Sequence, residues 1–172
     1  MFSLTKNDRI KKLLLNNTEL SVSVKKAYNE SLKDKTEILT WGTKWNIAYD
    51  IAVALKFLHS KDVVHRDIKT DNILLCEEEG GIHAKIADFG LSKTQKVEDQ
   101  SATMTIGTFK YMAPEMAIGS EDYEAGQFPL GPVDIYALGM TFVALITEAE
   151  PYPGTRNNIS IPLMVKQGDL KQ

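Results

Sequence analysis

The chain has 172 residues, of which 43% are hydrophobic and 25% charged, a balance that fits a globular protein and excludes a disordered one. Its net charge of −3 argues against nucleic acid as a partner. The single cysteine, Cys76, excludes an intramolecular disulfide and points to a reducing compartment. The opening MFSLTKNDR has no apolar run of signal-peptide length, and the longest uncharged run, Ile135 to Thr147, is shorter than the roughly 18 residues a bilayer span needs. The expected location is cytoplasmic or nuclear, with no membrane segment.

Thr5-Lys-Asn-Asp8 reads as a helix N-cap with a carboxylate three residues on. Ile10, Leu13 and Leu14 then share one face, which predicts a short helix over 6–16. Residues 17–37 are polar and poorly periodic; they read as a loop or insertion, with Leu20, Val22 and Val24 as a brief strand at most. Thr40 caps a second helix. Only Asp50 and Lys56 carry charge between Ile47 and Leu58, so this helix is expected to be buried on most sides. Val63–Val64, Ile73–Leu75 and Ile82–Ala87 read as short strands, with a turn from Glu77 to Gly81. Residues 92–108 are rich in Ser, Thr and Lys and read as a long mobile loop. Gly131-Pro132 opens a helix with proline at its first position. Its body to Ile146 is apolar nearly all round and is expected at the centre of the fold. Ile161 to Gly168 reads as a last short helix.

Within this frame lies VVHRDIKTDNILL, residues 63 to 75. Two apolar pairs enclose His65, Arg66, Asp67, Lys69, Asp71 and Asn72, and buried charges of that density require partners. Asp67 and Asn72 as mere Asx-turn residues of a surface loop are the plain alternative.

His65-Arg66-Asp67 followed by Asn72 resembles the catalytic loop of protein kinases. Asp88-Phe89-Gly90 follows a short strand, Gly107 to Ala113-Pro114-Glu115 resembles the segment closing the activation loop, and Asp134 to Gly139 is similar to the start of the central helix F. Four motifs in order are far more specific than any one. The resemblance implies an α+β, mainly α fold: the large, C-terminal kinase lobe, with helices around helix F and short strands carrying the catalytic and magnesium loops. It divides the chain into 1–37, a helix D region plus polar insertion, and 38–172, a partial kinase domain truncated after the helix F/G region.

By that resemblance the chain is a protein serine/threonine kinase using ATP and Mg²⁺. Asp67 acts as base, Lys69 sits beside the transferred phosphate, and Asn72 and Asp88 hold magnesium as hard oxygen donors. Lys69, Asn72, Leu74 and Asp88 line the nucleotide side. His65 packs on Phe89 of the Asp88-Phe89-Gly90 turn, Asp134 accepts bonds from the backbone of His65 and Arg66, and Thr108 ties the loop end to Asp67 and Lys69. Lys69 and the segment GTFKYMAPE point to Ser/Thr, and LTWGTKWNIAYDIAVALKFLHS, IADFGLSK and GTFKYMAPE together look most like the tyrosine-kinase-like group, which mostly modifies Ser and Thr. Arg66 and Lys93 are expected to receive a phosphate on Thr103 or Thr105, added by an upstream kinase. Glu115 normally pairs with an arginine that is expected beyond this chain's end.

The same resemblance implies departures. No glycine precedes Gly42, so the Gly-rich loop and the small β-rich lobe are expected to be missing. Such a chain is expected to bind magnesium–ATP poorly and to be weak or inactive alone. A non-catalytic kinase-fold fragment, or a pseudokinase-like binding module, is the alternative reading, and a decaying copy without selected function is a third.

Overall fold

The computed structural model of the chain describes residues 30–32, 39–78, 81–94, 108–116, 131–155 and 160–169. The sequence-predicted helix over 6–16 lies outside them, as do Thr103, Thr105 and Gly107. The described part is mainly helical, with two small antiparallel sheets.

Helix α1, Trp41–His59, starts where Thr40 accepts the Thr43 N–H on its hydroxyl at 3.2 Å. That satisfies one of the donors a helix start leaves open. Ile47, Ile51, Leu55 and Leu58 recur at helical spacing and are all buried. The opposite face is not covered: Trp41, Trp45, Tyr49, Val53 and Phe57 are exposed. The expectation of a helix buried on most sides is therefore corrected to one face only.

Three strands form a sheet through the apolar runs. β1, Glu30–Ser31, pairs with β3, Ile73–Glu78, and β3 pairs with β4, Gly81–Ile86. Residues 30–31 were expected in a loop; instead they add a third strand, with Glu30 opposite Leu75, and Leu32 beyond them is buried. β2, Val63–Val64, pairs with β5, Lys93–Thr94, in a separate two-stranded ladder. That pairing also corrects the start of the expected mobile loop at 92–108.

Helix α2, Gly131–Thr147, buries Val133, Ala137, Met140, Ala144 and Leu145 but leaves Ile135 and Ile146 exposed. It is thus covered on one side rather than all round. Its buried Thr141 returns its hydroxyl proton to the Ala137 carbonyl at 2.8 Å, so no polar atom is stranded there. Helix α3, Ile161–Gln167, ends at Gly168 with φ of 79°, a left-handed cap that glycine adopts without strain.

The core is built in three patches. Ile47 and Ile51 of α1 pack with Ile73, Leu75 and Ala84 of the hairpin. Leu55 and Leu58 pack with Val63, Ile68, Ala137 and Met140. Val64 packs with Phe109, Met112, Ala113 and Val133. The segment between β2 and β3 is therefore clamped by apolar neighbours on both sides, which answers what holds its charges in place. Among the described residues no helix is long and apolar enough to cross a membrane.

Candidate active site

Asp134 is the natural starting point because it is a carboxylate with no exposed surface. Being near the start of α2, it projects toward the segment after β2. Its Oδ2 accepts the His65 N–H at 2.8 Å and its Oδ1 the Arg66 N–H at 2.7 Å. His59, the last residue of α1, adds Nε2 at 2.9 Å from Oδ2. One buried charge thus ties the end of one helix, the start of another and the loop between. Arg66 needs the tie: its φ is 70°, in the left-handed region, a conformation that costs a non-glycine residue about 1–3 kcal/mol.

His65 is fully buried and acts as a strut. Its ring meets Phe89 edge-on, with centroids 4.9 Å apart. Nε2 lies 3.1 Å from the Ala87 carbonyl, which can only accept, so this nitrogen carries the proton. Nδ1 then accepts the Asp67 N–H at 3.3 Å. Burial pushes the imidazole below its ordinary value of 6.5, against the opposing pull of Asp134, the Ala87 carbonyl, Asp67 and Asp88. With Nε2 donating and Nδ1 accepting, these bonds hold the ring in its neutral tautomer.

The strut leaves Asp67 at the centre of a dense polar cluster. Lys69 Nζ donates to both of its carboxylate oxygens, at 3.0 and 2.8 Å. Asn72 folds back through a 3₁₀ turn at Thr70–Asn72 and donates Nδ2 to Asp67 Oδ2 at 2.8 Å and to the Asp67 carbonyl at 2.7 Å. The turn is fixed below by a buried bond between the hydroxyls of Thr70 and Tyr111, 3.0 Å long. Asn72 also accepts the Ala87 N–H on its carbonyl at 2.8 Å, which brings the Asp88 turn against it.

Asp88 has a φ of 60° and accepts the Gly90 N–H on Oδ1 at 3.2 Å. A Cβ on Gly90 would lie 3.2 Å from that oxygen, so a larger residue there pushes the carboxylate by a few tenths of an ångström. Magnesium suits this donor set. The amide of Asn72 spends its N–H groups on Asp67, so its Oδ1 could take a cation, as could the second carboxylate oxygen of Asp88. Among the described residues no cluster of three or more His, Cys, Asp or Glu could hold a metal. Two hard oxygen donors without a full cage are what a magnesium ion shared with phosphates requires. A small pocket opens beside Asp67, with Arg66, Tyr111, Met112, Ala113, Met116 and Val133 in its wall.

The protein kinase domain model matches residues 9–171. The chain belongs to the protein kinase domain family. A Dictyostelium discoideum protein named as a "probable LIM domain-containing serine/threonine-protein kinase" is 38% identical over 163 residues, 95% of this chain and 15% of that protein. An Arabidopsis thaliana protein named as a "probable LRR receptor-like serine/threonine-protein kinase" is 37% identical over 145 residues, 78% of this chain and 15% of its own length. A second Arabidopsis serine/threonine-protein kinase is 40% identical over 116 residues, 64% of this chain and 21% of that protein. The chain therefore spans under a quarter of each of these relatives.

The other described residues singled out in the sequence sit on elements next to this cluster. Leu74 is buried on β3, on the strand face opposite Ile73 and Leu75. Lys93 enters β5 opposite Val64. Thr108 begins the 3₁₀ turn Thr108–Tyr111. Glu115 lies half-buried in the turn Pro114–Met116. Its charge adds to burial and the Tyr152 hydroxyl, 3.2 Å away, in pushing the Tyr136 phenol well above its ordinary value. Arg66 has a buried Nε with no hydrogen-bond partner. Two contributors were not singled out in the sequence. His59 was visible only as the end of an apolar helix, and Tyr111 only as one letter of a motif.

Proposed function

We propose that this chain carries the catalytic centre of a protein serine/threonine kinase. The observation that supports it best is the single hydrogen-bonded unit of Asp67, Lys69 and Asn72, joined through the Ala87 N–H to the Asp88 turn. A proton acceptor, a phosphate-side cation and two magnesium ligands converge there, and phosphoryl transfer needs little more than such positioning.

In this reading Asp67 orients the substrate hydroxyl and takes its proton as the oxygen bonds to the γ-phosphorus and the bond to the departing ADP oxygen breaks. Lys69 bonds both carboxylate oxygens of Asp67 and places its positive charge beside the phosphoryl oxygens. Asn72 and Asp88 would hold magnesium, which when bound neutralises phosphate charge. Leu74 supports the floor of the nucleotide site. The pocket beside Asp67, walled by Tyr111, Met112, Ala113 and Met116, suits an apolar side chain next to the acceptor residue. Residues 38–172 would correspond to the large lobe, nearest the tyrosine-kinase-like group. Lys69 two residues after Asp67, and the printed names of the relatives, favour Ser and Thr over Tyr.

Arg66 fits the regulatory reading. Its unpaired buried Nε is a donor waiting for an anion, and a phosphate on Thr103 or Thr105 placed there by an upstream kinase would supply one. A location in cytosol or nucleus agrees with the single cysteine.

The test is transfer of labelled γ-phosphate from magnesium–ATP to a mixed library of Ser, Thr and Tyr peptides. Label on Ser and Thr peptides that is lost in Asp67→Asn supports the proposal. Label that persists unchanged in Asp67→Asn, or that appears on Tyr alone, removes it.

A further inference from the structure

The strongest unexplained feature lies away from the catalytic centre, on the outer face of α1. Trp41, Trp45, Tyr49, Val53 and Phe57 follow one another at four-residue spacing and are 71, 72, 61, 48 and 61% exposed. They form a continuous ridge along the whole helix. The chain's two tryptophans are both in it. Isolated apolar side chains on a surface need no account, but a contiguous run of this size does.

Both ends of the ridge are held in place. Lys44 Nζ sits 5.1 Å from the centre of the Trp41 ring and is itself fixed by Glu148 at 2.7 Å and the Ile146 carbonyl at 3.2 Å. Lys61 Nζ lies 5.6 Å from the centre of the Phe57 ring. Rings pinned in advance lose little freedom on association, which is the property of good interface anchors.

We propose that this ridge is the interface of a symmetric dimer of the chain. Three arguments favour a second copy. An aromatic side chain buries about 150–250 Å² when covered, so at these exposures the ridge offers roughly 500–700 Å². A stable interface takes about 800 Å² from each partner, and the rim of the helix supplies the difference. A ridge at four-residue spacing packs against an identical ridge at a crossing angle of about −50°, so the surface complements itself. Lastly, Lys56 is the one charged residue of α1 exposed beside the ridge. The five side chains of the ridge are themselves uncharged, and the charges around it are lysines at its ends and edge, so apolar contact rather than ion pairing is what it offers a partner. Tyr49, at its midpoint, falls near the two-fold axis and meets its own copy.

The experiment is sedimentation velocity on the 172-residue chain over a dilution series, with tryptophan emission followed in parallel. The expected result is a discrete dimer that dissociates on dilution, with the emission maximum moving to longer wavelength as Trp41 and Trp45 become wet. Tyr49→Lys places like charges across the axis and raises the dissociation constant by roughly two orders of magnitude or more. Its circular dichroism stays unchanged, because the side chain is exposed. In a Cys76→Ser background, Tyr49→Cys forms an intermolecular disulfide under mild oxidation, and Asp62→Cys, beyond the ridge, does not. A monomer at every concentration overturns the proposal. So does a dimer indifferent to Tyr49→Lys, or a spread of aggregates without a discrete dimer.

Discussion

Replacing Asp134 by alanine separates an anchored loop from one that merely touches its neighbours. The carboxylate has no exposed surface and accepts the N–H groups of His65 and Arg66 at 2.8 and 2.7 Å. Alanine strands both donors, the His65 N–H buried and the Arg66 N–H partly so, at about 1–3 kcal/mol each. His59 also loses its partner on Oδ2. Part of the loss is recovered if Arg66 relaxes from its φ of 70°, which releases about 1–3 kcal/mol of backbone strain. The net is about 3 kcal/mol, a large share of a domain's usual 5–15 kcal/mol. In urea, with a slope of about 1–3 kcal/mol/M, the midpoint falls by roughly 1–3 M. Asp134→Asn keeps one acceptor and is expected to lose about half as much. An Asp134→Ala midpoint within a few tenths of a molar of the parent, at unchanged slope, would refute the anchoring argument.

Gly90→Ala sets a Cβ 3.2 Å from Asp88 Oδ1, so it displaces the carboxylate; magnesium-dependent nucleotide binding is expected to weaken several-fold by calorimetry, while stability changes by under about 1 kcal/mol. Tyr111→Phe removes the partner of a buried Thr70 hydroxyl and is expected to cost about 1 kcal/mol in the same urea assay. Thr40→Ala removes the α1 cap and costs about 1 kcal/mol. His65 gives a pH signature. Burial puts its folded-state value below 6.5, so the unfolded chain binds the extra proton first, and stability falls as pH drops beneath 6.5. The slope approaches at most about 1.4 kcal/mol per pH unit. Protonated Nδ1 would also face the Asp67 N–H it now accepts. Urea midpoints from pH 7 to 5 should show this slope in the parent and a flatter one in His65→Phe; equal slopes would assign the acid sensitivity elsewhere.

What was legible in the sequence had local causes. The apolar pairs around residues 65–72 announced strands, and Gly131-Pro132 announced the start of α2 within a residue. The contact of His65 with Phe89 and the two bonds to Asp134 were expectations of the resemblance, and both are present in the structure. What escaped was set at long range. Glu30 and Ser31 look like loop residues, and only their pairing with Leu75 and Leu74 makes them a strand. Lys93 and Thr94 become strand in the same way, against Val64 and Val63. The burial of α1 was misjudged for a different reason. Trp45, Tyr49, Val53 and Phe57 make its outer face as apolar as its inner one, so periodicity carries no sign of which side meets solvent. His59 was missed because its partner lies 75 residues away.

The most direct measurement of the central claim is paramagnetic broadening of the isotope-labelled chain by Mn²⁺ in the presence of ATP. If Asn72 and Asp88 hold a cation beside Asp67, broadening centres on the amides of residues 67–72 and 88–90. It should disappear in Asp88→Asn while persisting in Tyr49→Lys. Broadening spread evenly over the acidic surface, or unchanged in Asp88→Asn, would contradict the account.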